Sequence, residues 1–326
     1  MQWHQTQQII LTLLADGQYH KETELQQALF KESATLKMHL QTLVDAGVSI
    51  NYCLQQGYQL SKPPFLLDEK KITTELQRHL KNPFQLHLFS NIDSTNRYLK
   101  EIPSNTLTSI CCAEQQTQGR GRFDRKWHSP FGENIYCSSR WHLHASVKKL
   151  SGLSLVTSLA IMAALEAFNR QQDIKIKWPN DILWQNKKLC GSLIELIPQT
   201  SHSVDVIIGI GLNVNSDTAT SPLFDKPWCS LFELTQTIQD KNLLIAQLII
   251  QLERYLTDFI EHDLAFFSQE WQNHDYLQGK IITVTQGNNK IEGVACGIDS
   301  FGQLILKDQQ GKKWFMSSGD ATLRNE

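Results

Sequence analysis

The sequence predicts an α+β protein of several domains: an N-terminal winged helix-turn-helix, a central mixed α/β domain and a small C-terminal β-barrel. Three observations carry this prediction. A chain of 326 residues is longer than one ordinary hydrophobic core supports. Residues 1–62 have the pattern of three helices and a hairpin. From about residue 279, short alternating runs punctuated by glycine indicate an all-β unit that closes into a barrel.

Apolar spacing predicts the N-terminal helices and the hairpin that follows them. Within residues 1–62, apolar side chains recur at intervals of three and four over three segments, which places them on one face of each helix. The third helix begins near Ser33 and ends at Gly47. Residues 50–54 and 58–60 form strands on either side of a Gln-Gln-Gly turn. The resulting order, helix, helix, helix, wing, is that of a winged helix-turn-helix.

Composition divides the chain into four parts. Residues 1–62 form the winged helix-turn-helix, and residues 63–83, after a Ser-Lys-Pro-Pro break, form an amphipathic linker. Residues 84–270 mix strands with helices, and residues 271–326 form the β-domain. Residues 150–168 make the longest apolar segment, within a predicted helix at residues 150–170, but polar residues interrupt it. This segment therefore predicts a buried helix and not a membrane span.

Charge and cysteine content restrict the class of protein. Hydrophobic residues make up 41% and charged residues 20% of the chain, as in soluble globular proteins. The net charge of −2 gives no overall basic field, so a nucleic acid would have to be bound by a local patch. The seven cysteines have no C-x-x-C spacing, and the polar start does not resemble a signal peptide. We therefore expect a cytoplasmic protein with reduced thiols and no membrane partner.

The run GRGRFDRKW at residues 119–127 is the first candidate for a ligand-binding loop. It follows a predicted strand, and its glycines let backbone N–H groups approach a ligand closely. Arg120 and Arg122 add bidentate contacts to an anion. The loop therefore suits a phosphate or a carboxylate, and it is not a Walker loop because no Gly-Lys-Ser/Thr follows. A solvated basic turn is the alternative explanation of the same residues.

The run KWPND at residues 177–181 places a lysine beside a carboxylate at the end of a strand. Alternation puts Lys177 on the face opposite to the neighbouring isoleucines, and the proline presents Asn180 and Asp181 in a turn. Such a lysine and carboxylate suit the binding of a phosphate and the acceptance of a proton. In isolation, a surface ion pair in a Pro-Asn-Asp turn is the simpler explanation.

Three further runs are weaker signals. DSTN at residues 93–96 begins a helix, where capping alone explains the hydroxyl side chains. KLCG at residues 188–191 opens a strand on which Gly191 leaves room for a ligand. GIGLNVN at residues 209–215 ends a hydrophobic strand, but it lacks the third glycine of a dinucleotide site.

The order of these runs along the chain strongly resembles that of the biotin protein ligases. DSTN is followed by GRGR with Trp127 five residues beyond Arg122, then by KWPND, KLxG and GIGxN. The front end is similar to the bifunctional class, in which the ligase is also the biotin operon repressor, through QTLxxxGV at residues 41–48 and Gly57-Tyr58 in the wing. The resemblance covers nearly the whole chain. It implies a class II synthetase-like biotin–lipoate ligase fold for the central domain and an SH3-like barrel at the end.

The resemblance also implies a two-step reaction. The family joins biotin to ATP, which gives biotinyl-5′-AMP and pyrophosphate, and Mg²⁺ is expected with the ATP, with no protein ligand assigned. It then passes biotin to one lysine of the biotin carboxyl carrier protein, a subunit of acetyl-CoA carboxylase, and releases AMP. Asp181 would orient the carrier lysine or accept its proton, because that amine has a free pKa of about 10.4 and must be neutral to attack. The loop at residues 119–127 would order over the adenylate and exclude water.

The family's functional residues map onto the motifs of this chain. Catalysis is assigned to Lys188, Asp181, Arg122 and Lys177. Biotin binding is assigned to Ser94, Thr95, Asn96, Gln116, Arg120, Gly121, Arg122, Lys188 and Gly191. Binding of ATP and of the adenylate is assigned to Arg120, Arg122, Trp127, Lys177, Asn180 and Asn213.

The front end implies regulation through operator DNA of biotin genes. Its predicted recognition helix offers Ser33, Thr35, Lys37, His39 and Gln41. Biotinyl-5′-AMP would be the corepressor, and the adenylate-bound protein would be a homodimer. Residues 1–62 contain four lysines and five acidic residues, a net charge of −1, so that a single copy should bind DNA poorly. The alternative is a ligase only, whose winged helix docks on the ligase or on a protein partner.

Two rival functions are left open at this stage. A lipoate protein ligase shares the adenylation chemistry, but KWPND, the N-terminal winged helix and the terminal β-domain favour biotin. A biotin-sensing transcription factor with an inactive ligase centre should have lost Lys188, Lys177 or the paired arginines, and this sequence has all of them.

Overall fold

The helix–helix–helix–hairpin order predicted for the N-terminal part is present. A computed structural model of the chain describes residues 5–29, 33–61, 66–166, 173–218, 227–287 and 289–323. The first elements are α1 (Gln5–Leu14), α2 (Glu22–Leu29), α3 (Ser33–Asp45), β1 (Ile50–Cys53) and β2 (Gly57–Leu60). All three helices bury one apolar face in a shared core, to which they contribute Ile10, Leu14, Leu25, Leu36, Leu40 and Leu43. The strands pair antiparallel, with Tyr52 opposite Tyr58.

A seven-stranded mixed sheet forms the centre of the molecule. Its strands are β3 (Phe84–Phe89), β4 (Thr108–Ala113), β5 (Ile135–Leu143), β6 (Ile174–Lys177), β7 (Asp181–Trp184), β8 (Lys187–Pro198) and β9 (Val204–Leu212). They lie in the order β3-β4-β5-β9-β8-β7-β6, and only β3 and β4 are parallel. The pairing of β8 with β7 ends at Gly191, and the next residue, Ser192, is hydrogen-bonded to Asn180. Among the described strands, residues 193–198 pair with β9 alone. The order brings the ends of β7, β8 and β9, which carry three of the sequence motifs, to one place.

Helices cover both faces of this sheet. They are α4 (Glu69–His79), α5 (Thr95–Glu101), α6 (Leu153–Glu166), α7 (Leu231–Thr235), α8 (Lys241–His262) and α9 (Ser268–His274). α6 is apolar on nearly every side and is buried against α8 and the sheet, whereas α5 packs on β4, β5 and β9. The helix predicted at residues 150–170 starts later, because Val147–Leu150 forms a 3₁₀ turn, and residues 167–172 lie outside the described ones. None of the described helices is long and apolar enough to cross a membrane.

The segment predicted as a linker contains α4, which packs on α8. Its Ile72 and Leu76 have no exposed surface and belong to the central core. At its start, the backbone N–H of Leu67 donates to the carboxylate of Glu114, which is also paired with the fully buried Lys241 at 2.7 Å. These contacts attach the start of α8 to the end of β4.

The C-terminal β-domain is an open five-stranded sheet. Its strands are β10 (Ile281–Gln286), β11 (Asn289–Ile298), β12 (Leu304–Lys307), β13 (Lys313–Met316) and β14 (Asp320–Leu323). They pair antiparallel in the order β13-β12-β11-β10-β14. The strand pairing recorded for the described residues leaves β13 and β14 as edges, so the expected closure into a barrel is not seen. Both edge strands have only four residues, and no ladder joins them.

Two side chains of the central domain reach into the N-terminal part. Phe131, which directly follows the Ser-Pro after the ligand-loop motif, is 8% exposed and packs in the core formed by α1, α2 and α3. Gln115 Nε2 donates to the carbonyl of Ala46 at the end of α3, at 2.5 Å. The N-terminal part is therefore docked beside the loop that the sequence marks as ligand-binding.

Candidate active site

A cavity of about 1240 Å³ lies between the loop at residues 119–130, the start of α5 and the ends of β7, β8 and β9. Of the residues predicted to act in catalysis or to bind biotin, ATP or the adenylate, all but Lys177 line it. The lining members are Ser94, Thr95, Asn96, Gln116, Arg120, Gly121, Arg122, Trp127, Asn180, Asp181, Lys188, Gly191 and Asn213. Five motifs spread over some 120 residues of the chain therefore meet in one cavity.

Trp127 forms one wall of the cavity against two glycines of the sheet. A Cβ atom at Gly211 would lie 2.3 Å from the Trp127 ring, so only glycine leaves room for the indole here. A Cβ atom at Gly191 would contact both Trp127 and the Lys188 side chain. The Lys188 ammonium lies 5.4 Å from the centre of the Trp127 ring, within reach of a cation–π interaction. The sequence predicted Gly191 as a close-approach position but did not predict the contact with Gly211.

Lys188 and Asp181 form an ion pair at the cavity. The Lys188 Nζ and Asp181 Oδ1 atoms lie 2.5 Å apart, and each side chain is about one-third exposed (31% and 32%). Both residues lie where β7 and β8 pair, because Asp181 is opposite Gly191 in the ladder. The strand register therefore places the two predicted catalytic groups in direct contact.

The loop at residues 119–127 is folded back on itself and attached to the cavity wall. Trp127 N donates to Gly119 O at 2.9 Å, which closes the loop at its base. Arg122 Nη1 donates to Asn180 Oδ1 at 3.1 Å, and burial lowers the pKa of this arginine from its ordinary value. An arginine in a glycine-rich loop is expected to be exposed when no ligand is bound. Arg122 is instead half-buried, because Asn180 of the KWPND turn holds it.

The C-terminal sheet also contacts this loop. Arg125 forms an ion pair with Asp320, at the start of β14, and Asp320 lines the cavity as well. The hydrogen bond with Asp320 raises the pKa of Arg125. The sequence did not predict this contact, because the two residues are far apart in the chain and belong to different domains.

A hydrogen-bonded chain of uncharged groups forms the opposite side of the cavity. Ser94 caps α5 through the backbone N–H of Arg97, as its position before the helix predicted. Thr95 donates to Gln116 Oε1 through its backbone N–H and its hydroxyl group, at 2.9 and 3.1 Å. Gln116 Nε2 in turn donates to Ser129 Oγ at 3.2 Å. This chain fixes the direction in which the Gln116 amide points.

Asn96 is held against Gly209 within the same region. A Cβ atom at Gly209 would lie 2.1 Å from Asn96 Oδ1. Asn96 is 4% exposed and donates to Glu195, which also pairs with Arg120. The sequence does not mark Glu195, because a glutamate at an ordinary strand position belongs to no motif.

Lys177 lies outside the cavity. It is on β6, the last strand of the sheet, and is paired in register with Asp181. Alternation along the strand predicted which side chains share a face, but it does not predict which face meets the ligand. Asn213 is at the cavity and donates through Nδ2 to the carbonyls of Lys188 and Cys229.

The predicted DNA-binding residues lie along α3, and two of them already interact with acidic side chains. Lys37 Nζ is 3.7 Å from Glu22 Oε1, and Gln41 Nε2 donates to Asp45 at 2.7 Å. Thr35 and His39 are partly exposed, whereas the side chain of Ser33 lies outside the described ones. Acidic neighbours reduce the positive potential that this helix presents.

Over the described residues, no cluster of three or more side chains could hold a metal ion by itself. The cavity does have single carboxylates, at Asp124, Asp181 and Asp320. Mg²⁺ commonly binds through one or two carboxylates together with substrate phosphates and water, so this donor set fits an ion that arrives with a nucleotide.

Comparison with known proteins identifies the class to which this fold and cavity belong. The model of the biotin/lipoate A/B protein ligase family matches residues 88–213, and that of the biotin protein ligase C-terminal domain matches residues 278–324. A biotin protein ligase from Aquifex aeolicus, solved in complex with biotin and ATP, is similar in structure. The TM-score is 0.61 and the identity 29%, over 75% of this chain and 99% of the other.

Relatives of full length define the group within this class. The bifunctional ligase/repressor BirA of Salmonella typhimurium is 34% identical over 97% of each chain. That of Escherichia coli is also 34% identical, over 97% of this chain and 96% of its own. Because this similarity extends over nearly the whole of both chains, the protein belongs to the biotin protein ligase family of bifunctional ligase/repressors. The resemblance inferred from the motifs is confirmed.

Proposed function

We propose that this protein activates biotin with ATP to biotinyl-5′-AMP and then transfers biotin to a lysine of a biotin carboxyl carrier protein. The observation that carries the proposal is the cavity in which Lys188, Arg120 and Arg122 meet the glycine-lined ends of β8 and β9. A similar ligase was solved with biotin and ATP together, which supports both ligands for a cavity of this size.

In the first step, a biotin carboxylate oxygen attacks the α-phosphorus of ATP and pyrophosphate leaves. Both reactants are anionic, so cations must offset their repulsion. Lys188 is assigned to the biotin carboxylate, and Arg120 and Arg122 to carboxylate and phosphate oxygens. The Asn180 amide holds Arg122 in place through the bond of 3.1 Å. Mg²⁺ that arrives with ATP would neutralise its phosphates, and Asp124 and Asp320 are carboxylates of the cavity that could assist it.

Recognition of the biotin ring is assigned to the uncharged side of the cavity. An ureido ring has N–H donors and a carbonyl acceptor, and oriented hydroxyl and amide groups match both. Ser94, Thr95, Asn96 and Gln116 provide such groups, and Gly121 and Gly191 allow close approach. Trp127 and Asn213 are assigned to the adenylate, whereas Lys177 has no contact with the cavity that would support its predicted role.

In the second step, the amine of the carrier lysine attacks the acyl carbon, and AMP leaves. Asp181 is assigned to orient this amine and to accept its proton. Water can also hydrolyse the acyl-adenylate. The loop at residues 119–127 must therefore exclude water until the carrier lysine binds. The bond between Arg122 and Asn180 supports this role, because it fixes the loop to the cavity wall.

For regulation, we propose that the N-terminal part is a winged helix-turn-helix that binds operator DNA when two adenylate-bound copies dimerise. Its helix and hairpin order supports the assignment, with α3 as the recognition helix. The net charge of −1 argues that one copy binds weakly and that two linked copies are needed. Among the described residues, no strand pairs with residues 193–198 of β8 on the side away from β9, so a second copy could add a strand there. The alternative, a ligase whose N-terminal part binds no DNA, predicts dimers or monomers without operator affinity.

We also propose a cytoplasmic location, since all seven cysteines are free thiols, and an SH3-like ancestry for the open C-terminal sheet. The domain limits predicted at residues 62, 83 and 270 are kept, with α4 packed on the central domain.

The decisive test is ATP-dependent transfer of biotin to a purified carrier domain, with lipoate as the competing acid. Biotin-dependent exchange of pyrophosphate into ATP measures the first step alone. Pyrophosphate exchange that depends on lipoate and not on biotin would identify the protein as a lipoate ligase. Sedimentation with and without biotin plus ATP, beside a gel-shift on a biotin-gene promoter, tests the regulatory half. If the adenylate changes neither mass nor DNA binding, the chain is a ligase only.

A further inference from the structure

The carboxylate of Glu195 joins two groups of residues that are far apart in the sequence. Its Oε2 atom accepts hydrogen bonds from Arg120 Nη2 and from Asn96 Nδ2, both at 3.0 Å. Its Oε1 atom lies 3.5 Å from Lys100 Nζ. Glu195 is two residues beyond Leu193 on β8, and its partners Arg120 and Asn96 both line the cavity.

Asn96 links Glu195 to the hydrogen-bonded residues on the uncharged side of the cavity. The Ser138 hydroxyl lies 2.6 Å from Asn96 Oδ1 and 2.7 Å from Thr95 Oγ1, and Thr95 donates to Gln116. Because Ser138 occupies the amide oxygen, the Asn96 amide nitrogen must face Glu195. One carboxylate thus connects the arginine on the loop to the residues assigned to the biotin ring.

Arg120 needs such an anchor because its side chain is long and rotates freely. Its Nε atom is buried and has no hydrogen-bond partner among the described side chains and backbone groups. The bond from Nη2 to Glu195 is therefore the contact that fixes the guanidinium plane. Glu195 is only 19% exposed, so water competes less for this charged bond than at an open surface.

We propose that Glu195 is a positioning residue for biotin binding, which holds Arg120 and Asn96 in the orientation that biotin requires. Its carboxylate touches neither substrate nor reacting atoms in this role. The inference rests on the proposed function, because it takes Arg120 and Asn96 as biotin-binding residues.

Glu195→Ala should weaken biotin binding, measured directly by calorimetric titration, by about ten- to a hundredfold. The reason is that displacing a positioned group by about 1 Å can cost roughly 10²-fold. Glu195→Gln keeps the size but offers one acceptor oxygen to several donors, so an intermediate loss is expected, and it replaces the alanine variant if that does not fold. Lys100→Ala is the matched control, since it removes the exposed partner of the same carboxylate. It should stay within about twofold of the original affinity.

A mutant cycle with Arg120→Ala and Asn96→Ala separates positioning from a general structural role. Because Glu195 is proposed to act through Arg120 and Asn96, most of the loss from Glu195→Ala should disappear in a background that carries Arg120→Ala together with Asn96→Ala. Losses that multiply, or a lower melting temperature with unchanged biotin affinity, would overturn the proposal. If the unaltered protein binds no biotin at all, the proposed function itself fails. Normal binding that Glu195→Ala leaves unchanged refutes this inference alone.

Discussion

The ammonium group of Lys188 lies 2.5 Å from a carboxylate oxygen of Asp181, although the two residues are assigned to different steps of the reaction. Lys188 should interact with the biotin carboxylate during adenylation, and Asp181 with the carrier lysine during transfer. Without ligands the two charges neutralise each other. Binding of the biotin carboxylate at Lys188 would then leave Asp181 free to interact with the amine of the carrier lysine.

Asp181→Asn should therefore affect the two steps in opposite ways. Transfer from preformed adenylate to the carrier should slow, because the amide cannot accept a proton. Biotin affinity should stay equal or rise, by up to about fivefold, because Lys188 no longer has to leave a partly exposed ion pair. Single-turnover transfer and biotin titration measure the two effects. Asp124→Asn, which removes another carboxylate from the same cavity, is the control for charge alone. If the Asp181→Asn variant transfers biotin at the rate of the unaltered protein, Asp181 serves only to form the turn at residues 177–181.

Lys188→Ala should nearly abolish adenylate formation. The substitution removes the cation assigned to the reacting carboxyl group, and loss of such a preorganised group typically slows a reaction by about 10²- to 10³-fold. Biotin-dependent pyrophosphate exchange measures this step without the carrier. An unchanged exchange rate would remove Lys188 from the chemistry.

Arg122→Gly should loosen the loop over the adenylate while leaving the protein folded. It removes the bond to Asn180, so biotinyl-5′-AMP should escape and label lysines of unrelated proteins. The measurement is the ratio of biotin on a bystander protein to biotin on the carrier. Lys126→Gly is the matched control, because it removes an exposed cation of the same loop. If the Arg122 variant labels only the carrier, the loop does not retain the intermediate.

Lys241→Met should destabilise the protein by about 3–5 kcal/mol in the free energy of unfolding. Glu114 would be left as a buried carboxylate without its cation, which is costly in a low-dielectric interior. Lys71→Met is a suitable comparison, since its pair with Asp240 is at the surface (Lys71 is 51% exposed) and should contribute at most about 1 kcal/mol. Denaturant titration monitors both, and equal losses would contradict the burial argument.

Asp205→Asn should reduce stability in a pH-dependent way. Burial raises the pKa of Asp205, but hydrogen bonds from Ser104, His142 and Arg140 outweigh it, so that the pKa is lowered. A lowered pKa contributes stability above the unfolded-state pKa of about 3.9, and this contribution is lost as the pH falls through the folded-state value. The difference in stability between the original protein and the variant should therefore be largest near neutral pH and shrink below about pH 4. A constant difference would assign the loss to packing alone.

Local sequence predicted more of the fold than of the contacts within the site. Runs of alternating or helical apolar residues predicted most strands and helices correctly, because those periods are local properties of the chain. Glu195 was missed because its pairing with Arg120 joins residues 75 positions apart. Lys177 was assigned to the phosphates through the family resemblance, and alternation along β6 does not tell whether its side chain meets the ligand. Closure of the C-terminal sheet depends on contact between two edge strands, which their own sequences do not encode.

Phe131 joins the hydrophobic core of the N-terminal helices to the central domain. Its ring completes their core although its backbone belongs to the segment that carries Ser129 and Trp127. A shortened version of the protein that lacks the helices would present this ring to water, directly beside the biotin pocket. Such a version would expose an apolar ring to water and lose the packing that holds the segment after the loop, so a polar residue in place of Phe131 should improve its solubility.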